Sequence, residues 1–499
     1  MKRIEFKRVT PEAVGVSSNA VERLLDKLES GFTEPHGLML MRDGKIFAEG
    51  WWSPFAAGIR HGLQSLTKTY AATAVGIAYT EGLLRLDERI IDIFREEAPA
   101  GPSENLKRLT VHDVLCMGCG MDEMPKPTGN WIRDFLAMPV NRVPGTCFMY
   151  NSMGSTLLGA IVKRLTGMGL QDYLTSRLFD KIGIDAGNLR WMYMPDGIEV
   201  GGGGLFATTE DNLRLMKLYA DGGVWNGERI LAADYVDRAT RIQNDSSSEE
   251  RVNPPARDNF LGYGYQIWMY RPSGAYRADG AMGQFSIVFP EKNMILSVTE
   301  NASGAHSAQK TLDVLWEFLS EIGSETMLQE DEAAAQRLFQ RMRRLSLPHP
   351  KYAPFHGKNE DVGDSEYLVT EGTLILDNPI GAMMTGKKPS PGISSFKFIF
   401  HSDSCTFHYS QEGERNSLEV AVDGTRRFNR IFTADSPCSI ALASGAWISR
   451  DTFELVVRWV ETCFENKLLF RFDGNQADIT YSTSGGFGPG QSEVKAVRG

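Results

Sequence analysis

The densest apolar run near the start of the chain begins just after Ser65, where Ala71, Ala72, Ala74, Val75, Ile77 and Ala78 leave almost no polar face. That pattern predicts a helix packed on most sides, ending near Glu81-Gly82, where glycine can take the left-handed cap conformation. Upstream, Val21, Leu24, Leu25 and Leu28 fall on one face of an amphipathic helix over residues 16–28, with Ser18 or Asn19 as cap and Glu22 in the first turn. Between the two helices, Gly37 to Met41 and Lys45 to Ala48 flank Arg42-Asp43-Gly44, which reads as strand, Asp-Gly turn and returning strand. Further helices are predicted from Thr110, with Asp113 at N3, over residues 155–166 with Gly167 as terminator, from near Thr208, and over residues 307–322. A second hairpin runs from Phe285 to Phe289, turns at Pro290-Glu291-Lys292-Asn293 and returns from Met294 to Val298. Its entrance is the glycine-bearing stretch Asp279-Gly280-Ala281-Met282-Gly283-Gln284, where small residues let a backbone approach closely.

The pattern changes after residue 330. Glu330, Asp331 and Glu332 open a helix that Arg341, Arg343 and Arg344 close, an order that suits the helix dipole, and Leu347-Pro348-His349-Pro350 breaks it. Beyond about residue 360 the chain alternates apolar and polar, as in Phe396 to Phe400, Phe453 to Val457 and Lys467 to Phe472, which predicts an all-β module, a small barrel.

A chain of 499 residues exceeds what one core usually supports, so two domains are expected. The boundaries drawn are 1–325 for the first domain, 326–360 for a helical linker and 361–499 for the β domain. Hydrophobic residues at 42% and charged residues at 23% describe an ordinary globular protein. A net charge of −10 argues against nucleic acid as a partner, because phosphate binding needs a basic face. No apolar run approaches the ~18 residues needed to span a bilayer, so no membrane partner is expected. The basic start Met1 to Arg8 lacks the apolar core of a signal peptide, so export is not expected and a cytoplasmic location is.

The candidate chemistry sits at the head of the apolar helix. Ser65 and Lys68 are three residues apart and share a helix face. A lysine drawn into an apolar interior loses hydration, which favours the neutral amine, and a neutral amine beside a hydroxyl can take its proton. The helix N-terminus favours negative charge developing near the serine oxygen. Tyr150 follows a Pro144-Gly145 turn in a short polar loop. Cys116-Met117-Gly118-Cys119 lacks a second ligand pair for zinc and reads as buried small residues. Gly201 to Gly204 lacks the spacing of a phosphate loop and reads as close backbone packing.

In their order and spacing, Ser65-Leu66-Thr67-Lys68, Glu81-Gly82-Leu83-Leu84-Arg85-Leu86-Asp87, the helix from Leu109 to Met117, Pro-Gly followed by Tyr150, and the glycine-bearing strand near 278–284 carry a resemblance. Residues from about 10 to 322 resemble the serine β-lactamase, penicillin-binding protein and esterase superfamily, closest to its class C-like branch. The resemblance implies an α+β fold, an antiparallel sheet flanked by helices with a helical subdomain, followed by a C-terminal all-β domain like the lipocalin-like modules of some relatives. It implies Ser65 as acylated nucleophile, Lys68 as proton acceptor and Tyr150 as the tyrosine that shares the proton and passes it to the leaving group. The N–H groups of Ser65 and Ala281 would form the oxyanion hole, with Ser152, Ala278, Asp279 and Gly280 lining the substrate site.

Two departures from the family pattern bear on substrate. Tyr-x-Asn reads Tyr150-Asn151-Ser152, and the third box, usually Lys-Thr-Gly or His-x-Gly, reads Ala278-Asp279-Gly280. Where β-lactamases hold a carboxylate with a cation, this chain offers an alanine, and strand alternation aims Arg277 to the other face. The expectation is a serine hydrolase with no metal or organic cofactor, acting on a small neutral ester or amide. The alternatives are a D-amino-acid amidase or peptidase, a weak β-lactamase, or a non-catalytic binding protein, and a homo-oligomer is left open.

Overall fold

The computed structural model describes residues 5–248, 257–271, 274–302, 308–353, 357–376, 390–431, 437–484 and 491–499. The chain divides into two compact units at the Ser346–Leu347 bond.

The first unit is a mixed helix and sheet domain. Its six-stranded antiparallel sheet runs in the order Lys45–Trp51, Glu34–Arg42, Met294–Asn301, Gln284–Phe289, Ala275–Gly280, Trp268–Tyr270. Both predicted hairpins are therefore in one sheet, and the chain's first strand pairs with Met294–Asn301, its neighbour in the sheet, along nearly its whole length, from Glu34↔Asn301 to Arg42↔Met294. The Asp-Gly turn is two left-handed residues, Asp43 at φ +50° and Gly44 at φ +70°, the geometry whose twist matches a two-residue hairpin. Strands buried throughout, such as Met294–Asn301, signal cover on both faces. The helix Thr209–Ala220 lies across the central strands, its start fixed by a capping box between Thr208 and Asp211.

The helix Thr67–Thr80 packs against Ser152–Thr166, on which Val111–Leu115 also rests. Every residue of Thr67–Thr80 up to Ala78 is buried, as the unbroken apolar pattern requires. The helix Ser152–Thr166 starts three residues earlier than its apolar spacing indicated, because the Asn151 side chain accepts from Gly154 N at 2.9 Å and caps it. The predicted helix over residues 307–322 is Ala308–Ser320, and Ser307 lies outside the described residues. The helix of the expected linker, Glu332–Met342, packs against Ser18–Leu28 and against the edge strand Lys45–Trp51 of the first unit. Among the described residues no helix is long and apolar enough to cross a membrane.

The second unit is a closed β-barrel. Nine strands form the ring, from Glu414–Ala421 through Ser404–Gln411, Ile393–Phe400, Tyr367–Glu371, Ser492–Arg498, Gln476–Thr483, Glu465–Asp473 and Thr452–Trp459 to Ile440–Trp447. The ring closes where Ala421 pairs with Ser444, and the short strand Arg427–Arg430 adds to Ile440–Trp447. Closure removes sheet edges. The inward positions are aromatic, with Phe396, Phe398, Phe407, Phe453, Phe470 and Phe472 all buried.

Candidate active site

Ser65 sits in a short 3-10 turn, Gln64–Leu66, that leads directly into the helix Thr67–Thr80. Two long-range bonds hold the turn. Leu63 N donates to Leu205 O at 2.9 Å, and Leu205 N donates to Thr67 Oγ1 at 3.1 Å. Along His61 to Tyr70, Ser65 alone is not fully buried. The chain thus encloses everything around Ser65 and leaves that residue partly accessible.

Lys68 is 1% exposed. Its Nζ lies 2.9 Å from Ser65 Oγ and 2.5 Å from Gly202 O, which accepts from it. Burial pushes the amine down to about 7, opposed by the charge of Asp279. A base poised near neutrality against the serine hydroxyl is what general-base activation needs. The carbonyl of Gly202 comes from the glycine tract, whose residues pack against the backbone of Ser152 and Ser155, so the tract does serve close packing.

The ring of Tyr150 lies over the same amine, with Nζ 4.8 Å from its centroid. It stacks on Trp268 at 5.6 Å and meets Tyr263 edge-on at 6.4 Å, beside a cluster of Met117, Phe148, Tyr263 and Trp268. Burial raises the Tyr150 hydroxyl well above its ordinary range, and a hydrogen bond with Ser65 opposes that rise. Ser65, Lys68 and Tyr150 therefore form one contiguous group, although 82 residues of sequence separate the last two. Ser152 is half-buried at the first position of its helix, against Gly202. Asn151 is fully buried in its capping role.

The strand Ala275–Gly280 supplies the other wall. At Gly280 it runs so close to the nucleophile turn that a β-carbon would fall 2.1 Å from Leu63 O and 3.1 Å from Leu66 N. Only glycine fits, and the next residue, Ala281, half-buried, follows directly on this close approach. Ala278 is completely buried, and its cross-strand partner Ser286 donates to Asn212 O at 3.2 Å. The charged groups of the third box are instead Asp279 and Arg277. Arg277 is fully enclosed, and every nitrogen of its guanidinium is engaged: Nε with Asp279 Oδ2 at 2.8 Å, Nη1 with Met269 O at 2.6 Å, Nη2 with Asn259 Oδ1 at 2.6 Å. Burial raises the Asp279 carboxyl, and the guanidinium holds it back.

Four of these contributors were not singled out from sequence: the Gly202 carbonyl, Trp268, the Arg277–Asp279 pair as a unit, and Gln266. The last, buried at φ +55°, ties three helices together behind the site. Its Nε2 donates to Leu115 O at 2.8 Å, its Oε1 accepts from Ser155 at 2.6 Å, and its carbonyl accepts from Thr69 at 2.9 Å. Tyr263, Gln266 and Trp268 sit in the stretch Tyr263-Gly264-Tyr265-Gln266-Ile267-Trp268, whose aromatic density was the available signal. Cys116 and Cys119 are buried free thiols.

A serine, a desolvated lysine and a half-buried tyrosine at the junction of a helical layer and an antiparallel sheet define a scaffold of the serine-hydrolase class. Residues 25–319 match the family model described as Beta-lactamase, more than half of the chain, and the chain belongs to that family. It is 24% identical over 255 residues to the 6-aminohexanoate-dimer hydrolase of Paenarthrobacter ureafaciens, covering 46% of this chain and 63% of that protein, so it spans less than two thirds of that relative. Penicillin-binding protein 4 of Amycolatopsis lactamdurans is 27% identical over 302 residues, covering 53% of this chain and 77% of that one. A solved penicillin-binding protein homologue from Caulobacter crescentus superposes with a TM-score of 0.51 at 17% identity, over 63% of this chain and 100% of that one, a likeness of fold.

Proposed function

We propose that this protein is a serine hydrolase that cleaves an ester or amide bond through an acyl-enzyme on Ser65, with a carboxylesterase-type activity on small neutral substrates as its leading reaction. The observation that carries this reading is the Lys68 amine, 1% exposed and 2.9 Å from Ser65 Oγ. Ser65 Oγ attacks the substrate carbonyl carbon as its proton passes to Lys68 Nζ. The N–H groups of Ser65 and Ala281 receive the oxyanion, a device worth roughly 3 kcal/mol per donor. As the tetrahedral adduct collapses, the departing oxygen or nitrogen takes a proton through the Tyr150 hydroxyl. Water then repeats the sequence on the acyl carbon, releasing the acid and restoring Ser65. The matched relatives, one named as a hydrolase and one as a penicillin-binding protein, support acyl chemistry in the same fold.

The test is covalent. A fluorophosphonate probe should add one phosphonyl mass to the peptide containing Ser65 and none to Ser65→Ala. A wild-type protein that takes up no probe and turns over no ester, amide or β-lactam in a panel would overturn the reading and leave a binding protein on a hydrolase scaffold.

A further inference from the structure

The two backbone donors assigned to the oxyanion have neighbours in an unusual conformation. Gln64, immediately before Ser65, has φ +50°, and Met282, immediately after Ala281, has φ +66°. Neither is glycine, and a left-handed residue with a β-carbon costs roughly 1–2 kcal/mol. Such a backbone persists only where its surroundings over-determine it.

At Met282 the surroundings are two buried side chains that acyl transfer itself does not use. Gln284 is fully enclosed, and its Nε2 donates to Glu300 O at 2.7 Å, Met282 O at 3.1 Å and Ala281 O at 3.4 Å. One amide nitrogen thus ties two consecutive carbonyls of the turn to the neighbouring strand, and Ala302 N donates to Met282 O at 3.1 Å from that strand's end. Under the turn lies the carboxyl of Glu300. A β-carbon at Gly283, φ +85°, would fall 1.9 Å from Glu300 Oε1, so both the backbone conformation and the space demand glycine. Thr311 Oγ1 donates to Oε1 at 2.7 Å, and Thr33 Oγ1 to Oε2 at 2.9 Å. Among the described residues no charged side chain pairs with Glu300. Among the described residues its carboxyl meets those two hydroxyls, from the helix Ala308–Ser320 and from the segment before the first strand, and the turn backbone at Gly283.

We propose that Gln284 and Glu300 are positioning residues for acyl transfer: the Gln284 amide fixes the turn that aims Ala281 N–H at the oxyanion, and Glu300, packed beneath that turn, serves only while uncharged. This rests on the acyl-enzyme reading. A carboxylate under the turn would repel the negative charge that the turn is proposed to receive, and no charged side chain among the described residues would offset it. Burial pushes the Glu300 carboxyl up to about 8, so it is neutral at pH 7 and ionises as the pH rises through that value.

The experiment follows p-nitrophenyl butyrate hydrolysis as a function of pH in the full chain, in Gln284→Leu and in Glu300→Gln, with phenylboronic acid as a mimic of the tetrahedral adduct on Ser65. Gln284→Leu should lower kcat by about 10²-fold, the effect of losing one oxyanion donor, with KM within about twofold, and should weaken phenylboronic acid in parallel. The wild-type kcat should fall above about pH 8, and Glu300→Gln should abolish that alkaline limb. Unchanged kcat and boronate affinity in Gln284→Leu, or the same alkaline limb in Glu300→Gln, overturns the proposal. Should Gln284→Leu fail to fold, the Glu300→Gln profile alone decides. Ser65-dependent turnover indifferent to both substitutions removes only the positioning role, whereas wild-type protein without Ser65-dependent turnover removes the acyl-enzyme reading as well.

Discussion

The barrel and the hydrolase unit bury different chemistry. Inside the barrel, Phe398 alone meets Phe407 at 4.8 Å, Phe470 at 5.0 Å and Phe453 at 5.2 Å, ring against ring. The strands alternate as their positions demand, and local pattern and packing agree at each of these residues. The first unit instead encloses Lys68, Arg277 and Glu300, groups whose charged forms resist burial, and bends Gln64 and Met282 into left-handed backbone. His61, four residues before the nucleophile, is likewise buried and pushed down to about 3. Gln64 lies in the Ser65 turn, Lys68 in the helix it opens, and Arg277 and Met282 on or just after the strand that faces it, whereas the enclosed Arg458 and Glu454 of the barrel are paired with Glu465 and Lys467. Perturbed titratable groups gathered beside a candidate nucleophile are the mark of a functional site more often than of a merely structural one.

The largest expected effect breaks that comparison at its centre. Ser65→Ala should remove turnover by at least about 10³-fold while leaving the melting temperature within about 2 °C, because the hydroxyl contributes little to packing and is the attacking atom of the proposed reaction. Retained turnover, measured on the best ester in a panel, would sink the nucleophile assignment. Nearly as large should be the losses from Lys68→Ala and Tyr150→Phe. Their combination should lose little more than the worse single change, since groups acting as one proton-transfer unit are strongly non-additive. Additive losses in steady-state kinetics would make one of them merely structural. In the wild type, kcat/KM should rise through an ionisation near pH 7. The sign follows from the lysine: protonated below that value it cannot accept the serine proton, and above it the free amine can.

The barrel side of the comparison is sharpened by Phe398→Ala, which empties the centre of the aromatic cluster. Truncating a fully buried phenylalanine costs about 3–5 kcal/mol, so the unfolding transition of the second unit should move to lower temperature in calorimetry. A transition shifted by less than the cost of a surface substitution would mean that the cluster collapses to fill the gap.

The sequence announced these two regions unequally. Alternation along Phe396 to Phe400 and Lys467 to Phe472 was enough to read strands, and the Ser65, Lys68 and Tyr150 set was legible because three side chains of the right type lay at recognisable spacing. What it hid depends on contacts set by tertiary register. The second partner of Lys68 is a carbonyl 134 residues away, and a carbonyl has no residue letter. Gln284 reads from sequence as the last residue of the glycine-bearing entrance, yet it opens the strand Gln284–Phe289 and folding turns its amide back onto the turn it follows. Ser65 lies in a 3-10 turn rather than in the α-helix proper, because the bonds from Leu63 and Thr67 to the Leu205 strand fix the entry. The charges of residues 330–344 suited a solvated helix, and its apolar residues, Ala334, Leu338 and Met342, are in fact buried on the first unit.

The smallest expected effect concerns the choice of substrate, and it turns on Arg277. A cation in the third box would hold the carboxylate of a penicillin, and the sequence leaves Arg277 as the first suspect once Ala278 replaces the usual lysine. In the folded protein that guanidinium is already spent on Asp279, Met269 O and Asn259, with none of its surface exposed. Freeing it would leave the half-buried Asp279 carboxylate uncompensated beside the incoming anion. A carboxylate bound next to Ser65 therefore forgoes a charge-assisted hydrogen bond worth roughly 1.5–3 kcal/mol, about one to two decades in affinity. Uncharged acyl groups forgo nothing. Measured side by side, kcat/KM for short-chain esters should exceed that for penicillins and cephalosporins by about that margin. If a β-lactam is instead turned over faster than every ester tested, Arg277 must leave its buried partners to meet the substrate, and the pairing that encloses it would have to be one of two states rather than a fixed wall.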